Sequence, residues 1–219
     1  MLVDASVARS FAVLGWTRHL VQVADGTILV AEGVHGRHPD DASELRRIRG
    51  ALRRQAEQAE FGSGLARRAF AAVRGLDQLL ALASPELTVL TLNPAEFGLA
   101  VRLQSRRAED RKWRQALGAR TRRLDAGESA SVAIAQGRSV TFASDDDDAL
   151  AVWQGLTGAP GRRTRHLLWQ LVADGIVKEH DAREAYHLLQ TDDLHCIGGP
   201  AWEARGRWAW RGPGRADGV

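Results

Sequence analysis

Short, almost wholly apolar runs alternate along this chain with longer stretches in which apolar residues recur three and four apart. Residues 1–3 read as a first strand, and Val7, Phe11 and Leu14 fall on one face of a following helix that Ser6 is placed to cap. The run 26–31 reads as a second strand, apolar throughout its middle as buried parallel strands tend to be. A polar loop over 36–41 leads to a helix with Leu45, Ile48 and Leu52 inward and Arg46, Arg47, Arg49, Arg53 and Arg54 outward. Gly62-Ser63-Gly64 breaks that pattern, and a further helix carries Leu65, Ala69, Val73, Leu76 and Leu80.

The run 87–92, after Pro85, alternates β-branched and apolar residues and predicts a third strand. Asn93-Pro94 then supplies a cap residue and a proline at the first helical position, and the helix they open buries Phe97, Val101 and Leu103 before continuing into the most basic stretch of the chain. Leu124-Asp125-Ala126-Gly127-Glu128 opens a helix over 129–136 made largely of small residues, which can lie close to a sheet. The run 139–143 is the fourth predicted strand, followed by an aspartate run and a helix with Ala149, Val152 and Trp153. A loop over 157–161 precedes a helix with Leu167, Leu168, Leu171 and Val172 that Asp174-Gly175 ends, and the last periodic segment is 181–189. No internal repeat is evident. The alternation of strand and helix signals predicts an α/β protein with a three-layer α/β/α arrangement and a mostly parallel central sheet.

Composition adds bounds. A chain of 219 residues with 44% hydrophobic and 26% charged residues is ordinary for a globular protein and fits one domain with an insertion. We read a body over 1–198, with 38–85 as a helical insertion, and a tail over 199–219 rich in Trp, Arg and Gly, including Trp202, Trp208 and Trp210. The apolar runs fall short of the ~20 residues that cross a bilayer, so no membrane association is expected. The first residues are strand-like rather than a basic segment followed by an apolar core, and no signal peptide is evident. A single cysteine, Cys196, excludes an internal disulfide; a reducing, cytoplasmic setting is the expectation. The net charge is +3, and the pI of about 9.7 overstates the basicity because the charges nearly balance. Arginine supplies almost all the positive charge, lysine occurring only at 112 and 178. A GC-rich genome accounts for that bias; arginine's planar fork also suits phosphate.

Acidic residues change the picture most. Asp4 follows the first strand, Glu128 stands at a helix start, and Asp145 and Asp146 begin an aspartate run just past the fourth strand. Residues at the carboxyl ends of parallel strands share one edge of the sheet, where ligands of open α/β proteins bind. Carboxylates meeting there repel one another, and a hard divalent cation with oxygen ligands relieves the repulsion. Capping alone also explains an aspartate at a strand end, and the helix dipole alone favours Glu128 in a first turn. Asp147 and Asp148 read as a solvated first helical turn, and Ser144 as a cap or as a holder of a metal-bound water.

Three segments together resemble the PIN domain, a family of small metal-dependent nucleases that includes the ribonuclease toxins of bacterial toxin–antitoxin pairs. Leu2-Val3-Asp4-Ala5-Ser6-Val7 is similar to its opening strand and first acid. The segment from Leu124 to Ala135 is similar to its Gly-Glu helix start, and Val140-Thr141-Phe142-Ala143-Ser144-Asp145-Asp146 to its strand ending in Thr or Ser and aspartate. Arg162-Arg163-Thr164 and Asp174-Gly175-Ile176 resemble a closing segment found in one branch. The likeness covers roughly residues 1–34 and 86–190. Where the family places a further acid after the second strand, this chain has Val34-His35-Gly36-Arg37, with Glu44 on the next helix and Glu32 as stand-ins.

The resemblance implies hydrolysis of RNA phosphodiesters assisted by Mg²⁺ or Mn²⁺, with Asp4, Glu128, Asp145 and Asp146 as catalytic acids, of which Asp4, Glu128 and Asp146 are the metal ligands, and Glu44 a possible additional acid. Ser6 and Ser144 are the supporting polar residues. It further implies a cognate antitoxin and a possible homodimer. Arg102, Arg106, Arg107, Arg111, Lys112 and Arg114 are read on one long helix, as a solvated face or as a phosphate track, and Arg120, Arg122 and Arg123 lead from it toward Glu128. With Arg162 and Arg163, those last three are the RNA-binding candidates. The histidines show no metal-ligand spacing, and His195-Cys196 has no acid beside it. The alternative reading is a catalytically degenerate PIN-like module that binds RNA or protein. An aspartate-nucleophile enzyme is disfavoured because no basic residue neighbours Asp4.

Overall fold

The computed structural model describes residues 1–36, 42–120, 123–191 and 197–204. Arg37, Arg122, His195, Cys196, Trp208 and Trp210 lie outside them. Among the described residues four strands form one sheet: β1 (Leu2–Val3), β2 (Ile28–Ala31), β3 (Leu87–Leu90) and β4 (Phe142–Ala143). All four are shorter than the runs that predict them. Asp25 and Gly26 take positive φ before β2 and Ser139 before β4, so those residues turn rather than pair. Thr91 and Leu92 run past the last pairing of β3, which ends at Ala31 and Leu90.

The order is β3-β2-β1-β4 and every pairing is parallel. Leu2 pairs with both Leu29 and Phe142, which puts β1 at the centre. Arg162 extends the sheet beyond β4, donating from its N–H to Phe142 O at 2.9 Å and accepting from Ser144 N at 2.9 Å. Because the strands are parallel, Asp4, Glu32, Thr91 and Ser144 all emerge at one edge. The chain visits β1, β2 and β3 outward on one side and then returns to the other side of β1 for β4. That reversal makes the gap between β1 and β4 the topological switch point, where open α/β sheets bind ligands.

The helices are α1 (Ala5–Val13), α2 (Thr17–Val23), α3 (Glu32–His35), α4 (Glu44–Gln58), α5 (Gly64–Leu80), α6 (Pro94–Gln104), α7 (Ala108–Ala116), α8 (Ala126–Gly137), α9 (Asp147–Thr157), α10 (Thr164–Ala173) and α11 (Glu179–Thr191). One group packs around α1, with α2, α4, α5 and α10; a second packs around α8, with α6 and α9. This grouping fits an α/β/α sandwich. No helix of the described residues is long and apolar enough to cross a membrane. Asp4, not Ser6, caps α1, accepting from the backbone N–H groups of Ser6 and Val7. The short α2, which carries the buried Leu20, Val21 and Val23, follows α1 almost directly and escapes periodicity because it has too few turns to display any.

The segment expected as an insertion forms the α4–α5 hairpin, and Leu45, Leu52, Leu76 and Leu79 are buried in the main core. The approach of α5 to α1 depends on Gly75, since any Cβ there would collide with the carbonyl of Ala12. Two expectations about the basic stretch are corrected. It is not one helix: residues 105–107 separate α6 from α7. Nor are Phe97 and Val101 buried; they are 59% and 50% exposed, and α6 turns Glu96 and Ala100 inward beside the expected Leu103. Glu96 is drawn in by Arg138, whose guanidinium Nε donates to it at 2.9 Å. Trp202, from the tail, is buried against Trp169 and Tyr186.

Candidate functional site

Asp4 leaves β1 at the switch point and is 3% exposed. Its Oδ1 accepts from Ser6 N at 2.9 Å, Ser6 Oγ at 2.6 Å and Val7 N at 3.2 Å, and its Oδ2 accepts from the Ser144 hydroxyl. Ser144 is fully buried at the end of β4 and also accepts from Asp146 N at 3.0 Å. Ser6 Oγ accepts from Asp145 N at 2.9 Å, so the two expected supporting hydroxyls tie the end of β1 to the end of β4. Asp145 is held in turn by the start of α10. Thr164 donates from its N–H to Oδ1 at 2.9 Å and from its Oγ1 to Oδ2 at 2.6 Å, and Ser10 Oγ stands 3.4 Å from Oδ2.

Burial pushes the Asp4 carboxyl up to about 6, against the hydrogen bonds of Ser144, Ser6 and Val7, and the charge of Asp145 pushes the same way. Burial also raises Asp145, opposed by the Thr164 hydrogen bonds and Arg163. Glu44, the first residue of α4, belongs to the same edge. Burial, with the charges of Asp125 and Asp4, raises it to about 7. Its carboxylate lies over Gly127 at the start of α8, so close that a Cβ on Gly127 would overlap Oε2. The glycine of the Gly-Glu pair is thus a clearance for the Glu44 side chain.

Glu128 and Asp146 both serve helix starts, as Asp4 does. Glu128 closes a capping box with Asp125: its Oε2 accepts from Asp125 N at 2.9 Å while Asp125 Oδ1 accepts from Glu128 N at 2.8 Å. Asp146 caps α9, accepting from Ala149 N at 2.8 Å. Asp125 and Asp146 each satisfy a backbone N–H in the first turn of their helix, and Glu128 satisfies the N–H of Asp125 in return. Asp148 is buried rather than solvated, because its Oδ1 accepts from Arg120 N at 2.9 Å. Asp125 and Thr164 stand in segments that carry the resemblance, but the sequence reading gave neither a place in the site. The three-residue spacing from Asp125 to Glu128 is itself the signature of a capping box, and the Arg162-Arg163-Thr164 segment was the signal that could have pointed to Thr164. Glu32 faces another cavity, about 490 Å³, bordered by Leu92, Phe97 and Ala130.

Of the arginines, Arg163 lies at the acidic edge, donating from Nη1 to Asp145 O at 3.1 Å and from Nη2 to Asp147 Oδ1. Arg120 Nη2 is 3.6 Å from Asp147 Oδ2. Arg123 is exposed. Arg162 does not join them: burial lowers it, and the charges it senses are Asp25 and Asp174. It in turn acts on the Met1 amino group, at the opposite end of β1 from Asp4.

The oxygen chemistry of Asp4, Glu44 and Asp145 suits a hard divalent cation. Among the described residues, however, no group of three or more Asp, Glu, His or Cys side chains is gathered tightly enough to cage a metal ion. The fit is to a hydrated ion held by one or two carboxylates, with water and phosphate oxygens completing the octahedron, as Mg²⁺ is commonly bound. A cavity of about 680 Å³ at the far end of β4, bordered by Val140, Trp153, Leu156 and Pro160, has no charged residue in its lining and is not this site. The molecule is thus a parallel α/β protein with a buried, hydroxyl-braced carboxylate at its switch point. Comparison with family models, curated proteins and solved structures gives no match.

Proposed function

We propose that the chain is a PIN-like, Mg²⁺- or Mn²⁺-dependent endoribonuclease. The observation that carries this reading is the meeting of Asp4 and Asp145 across the β1/β4 switch point, braced by Ser6 and Ser144, with Glu44 within electrostatic reach. One or two of Asp4, Glu44 and Asp145 would hold the ion directly, with the remaining carboxylate reaching it through water. Such an ion, when bound, supplies a water of lowered pKa and positive charge beside the phosphate. Ser6 and Ser144 fix the direction of the Asp4 oxygens, Thr164 fixes Asp145, and the burial of Asp4 keeps its charge poorly hydrated until a cation arrives. The setting as the toxin of a toxin–antitoxin pair, with an antitoxin and a two-fold subunit pairing, rests on the family resemblance alone.

The test is cleavage of a single-stranded RNA in Mn²⁺ by the wild-type chain and by Asp4→Asn. We expect a loss of at least about 100-fold, equivalent to roughly 3 kcal/mol of transition-state stabilisation, with the circular dichroism spectrum unchanged. Wild-type cleavage by Asp4→Asn contradicts the mechanism. The engagement of Glu128 and Asp146 in helix caps favours the second reading, a degenerate module that binds RNA or a partner without cutting. That module binds RNA equally with and without Mn²⁺ and leaves it intact.

A further inference from the structure

Asp147 stands in the first turn of α9 with its side chain 53% exposed, and two arginines from separate segments close on it. Arg163, just before α10, reaches one oxygen with Nη2 while its Nη1 is fixed on the backbone carbonyl of Asp145. Arg120, before α8, approaches the other oxygen, and its own backbone N–H is anchored on Asp148. The charge of Arg165 acts on Asp147 as well. The helix dipole explains an aspartate in a first turn, but it does not call for two guanidinium groups brought from elsewhere in the chain. A helix start flanked by arginine forks is the environment that binds phosphate oxygens.

We propose that Asp147 occupies a phosphate subsite: Arg120 and Arg163 converge on its carboxylate where a backbone phosphate of single-stranded RNA docks beside the acidic edge. The proposal rests on the nuclease reading for its ligand. Asp147 is the stand-in anion that the RNA phosphate displaces, so it lowers affinity and keeps both arginines in place. Arg163, tied to Asp145, sets the distance between this phosphate and the carboxylates.

The experiment is fluorescence anisotropy of a labelled single-stranded RNA oligonucleotide at several salt concentrations, in EDTA. Asp147→Asn should bind roughly threefold to tenfold more tightly, with a log–log salt slope steeper by about 0.7 for each arginine released. Asp147→Glu should match the wild type, and Glu60→Gln, the same charge change at an exposed site between α4 and α5, should change little. In a background of Arg120→Ala and Arg163→Ala the gain from Asp147→Asn should vanish. Unchanged or weaker binding by Asp147→Asn overturns the proposal. So does an equal gain from Glu60→Gln, or a gain that persists without the arginines. Since the assay contains no metal and reads no cleavage, its failure leaves the nuclease reading standing, and failure of cleavage leaves the binding result intact.

Discussion

The α6–α7 arm and the β1/β4 edge are both dense in charge, yet their side chains meet different surroundings. In the arm, Arg102 lies 3.8 Å over the Trp113 ring and donates from Nε to Asp110 at 3.1 Å. Arg114 is only 3% exposed and donates to the Arg102 carbonyl at 3.0 Å. These arginines hold two short helices together, and opposite charges and aromatic faces satisfy them locally. At the sheet edge, carboxylates come from positions far apart in the chain, no arginine among the described residues pairs with Asp4, and hydroxyls brace it instead. Burial and like charge raise Asp4 and Glu44 toward neutrality. A charged run in a sequence is therefore a poor guide to function; charges delivered to one place by separate strands are a better one.

The largest expected contrast is in activity. Glu44→Gln should lower RNA cleavage in Mn²⁺ at least tenfold, whereas Arg114→Ala, measured well below its unfolding temperature, should leave it within about twofold. Equal losses would erase the distinction between the two regions.

Stability against pH sharpens the comparison further. Asp4 rises from 3.8 to about 6 on folding and Glu44 from 4.5 to about 7, so the folded chain binds more protons than the unfolded chain across that window. Their contribution is fully present below about pH 4 and is lost as pH rises to about 7. For Asp4 the loss is of order 3 kcal/mol. Urea unfolding from pH 4.5 to 8 should show that Asp4→Asn removes the Asp4 part of this decline and leaves that of Glu44, so that the variant is more stable than the wild type at pH 8. A variant less stable at every pH would mean that the hydrogen bonds of Asp4 outweigh its desolvation. In the arm, Arg114→Ala should cost roughly 2–3 kcal/mol through lost packing and the lost hydrogen bond to the Arg102 carbonyl, and Arg102→Ala about 1 kcal/mol. Denaturant midpoints check both.

Asp4 was legible in the sequence because an apolar strand followed by a helix start fixes where its side chain emerges. Asp145 and Asp146 were not separable there. Adjacent residues at a strand-to-helix turn point in different directions, and only the fold decides that Asp145 meets Thr164 while Asp146 caps α9. Glu44 was readable only as a stand-in, since its position depends on how the α4–α5 hairpin packs against α1. Phe97 and Val101 misled because an apolar residue at helical spacing looks inward by default. The salt bridge between Glu96 and Arg138, which lies across 42 residues, is invisible to local periodicity.

The most direct measurement is a Mn²⁺ titration of the thermal midpoint at pH 8, where both raised carboxyls are ionised and the ion should bind the folded chain in preference to the unfolded one. The account predicts a saturable rise of several degrees for the wild type, abolished in Asp4→Asn and reduced in Glu44→Gln. A wild-type midpoint indifferent to Mn²⁺, or the same rise in Asp4→Asn, would contradict a divalent-cation site at the β1/β4 edge.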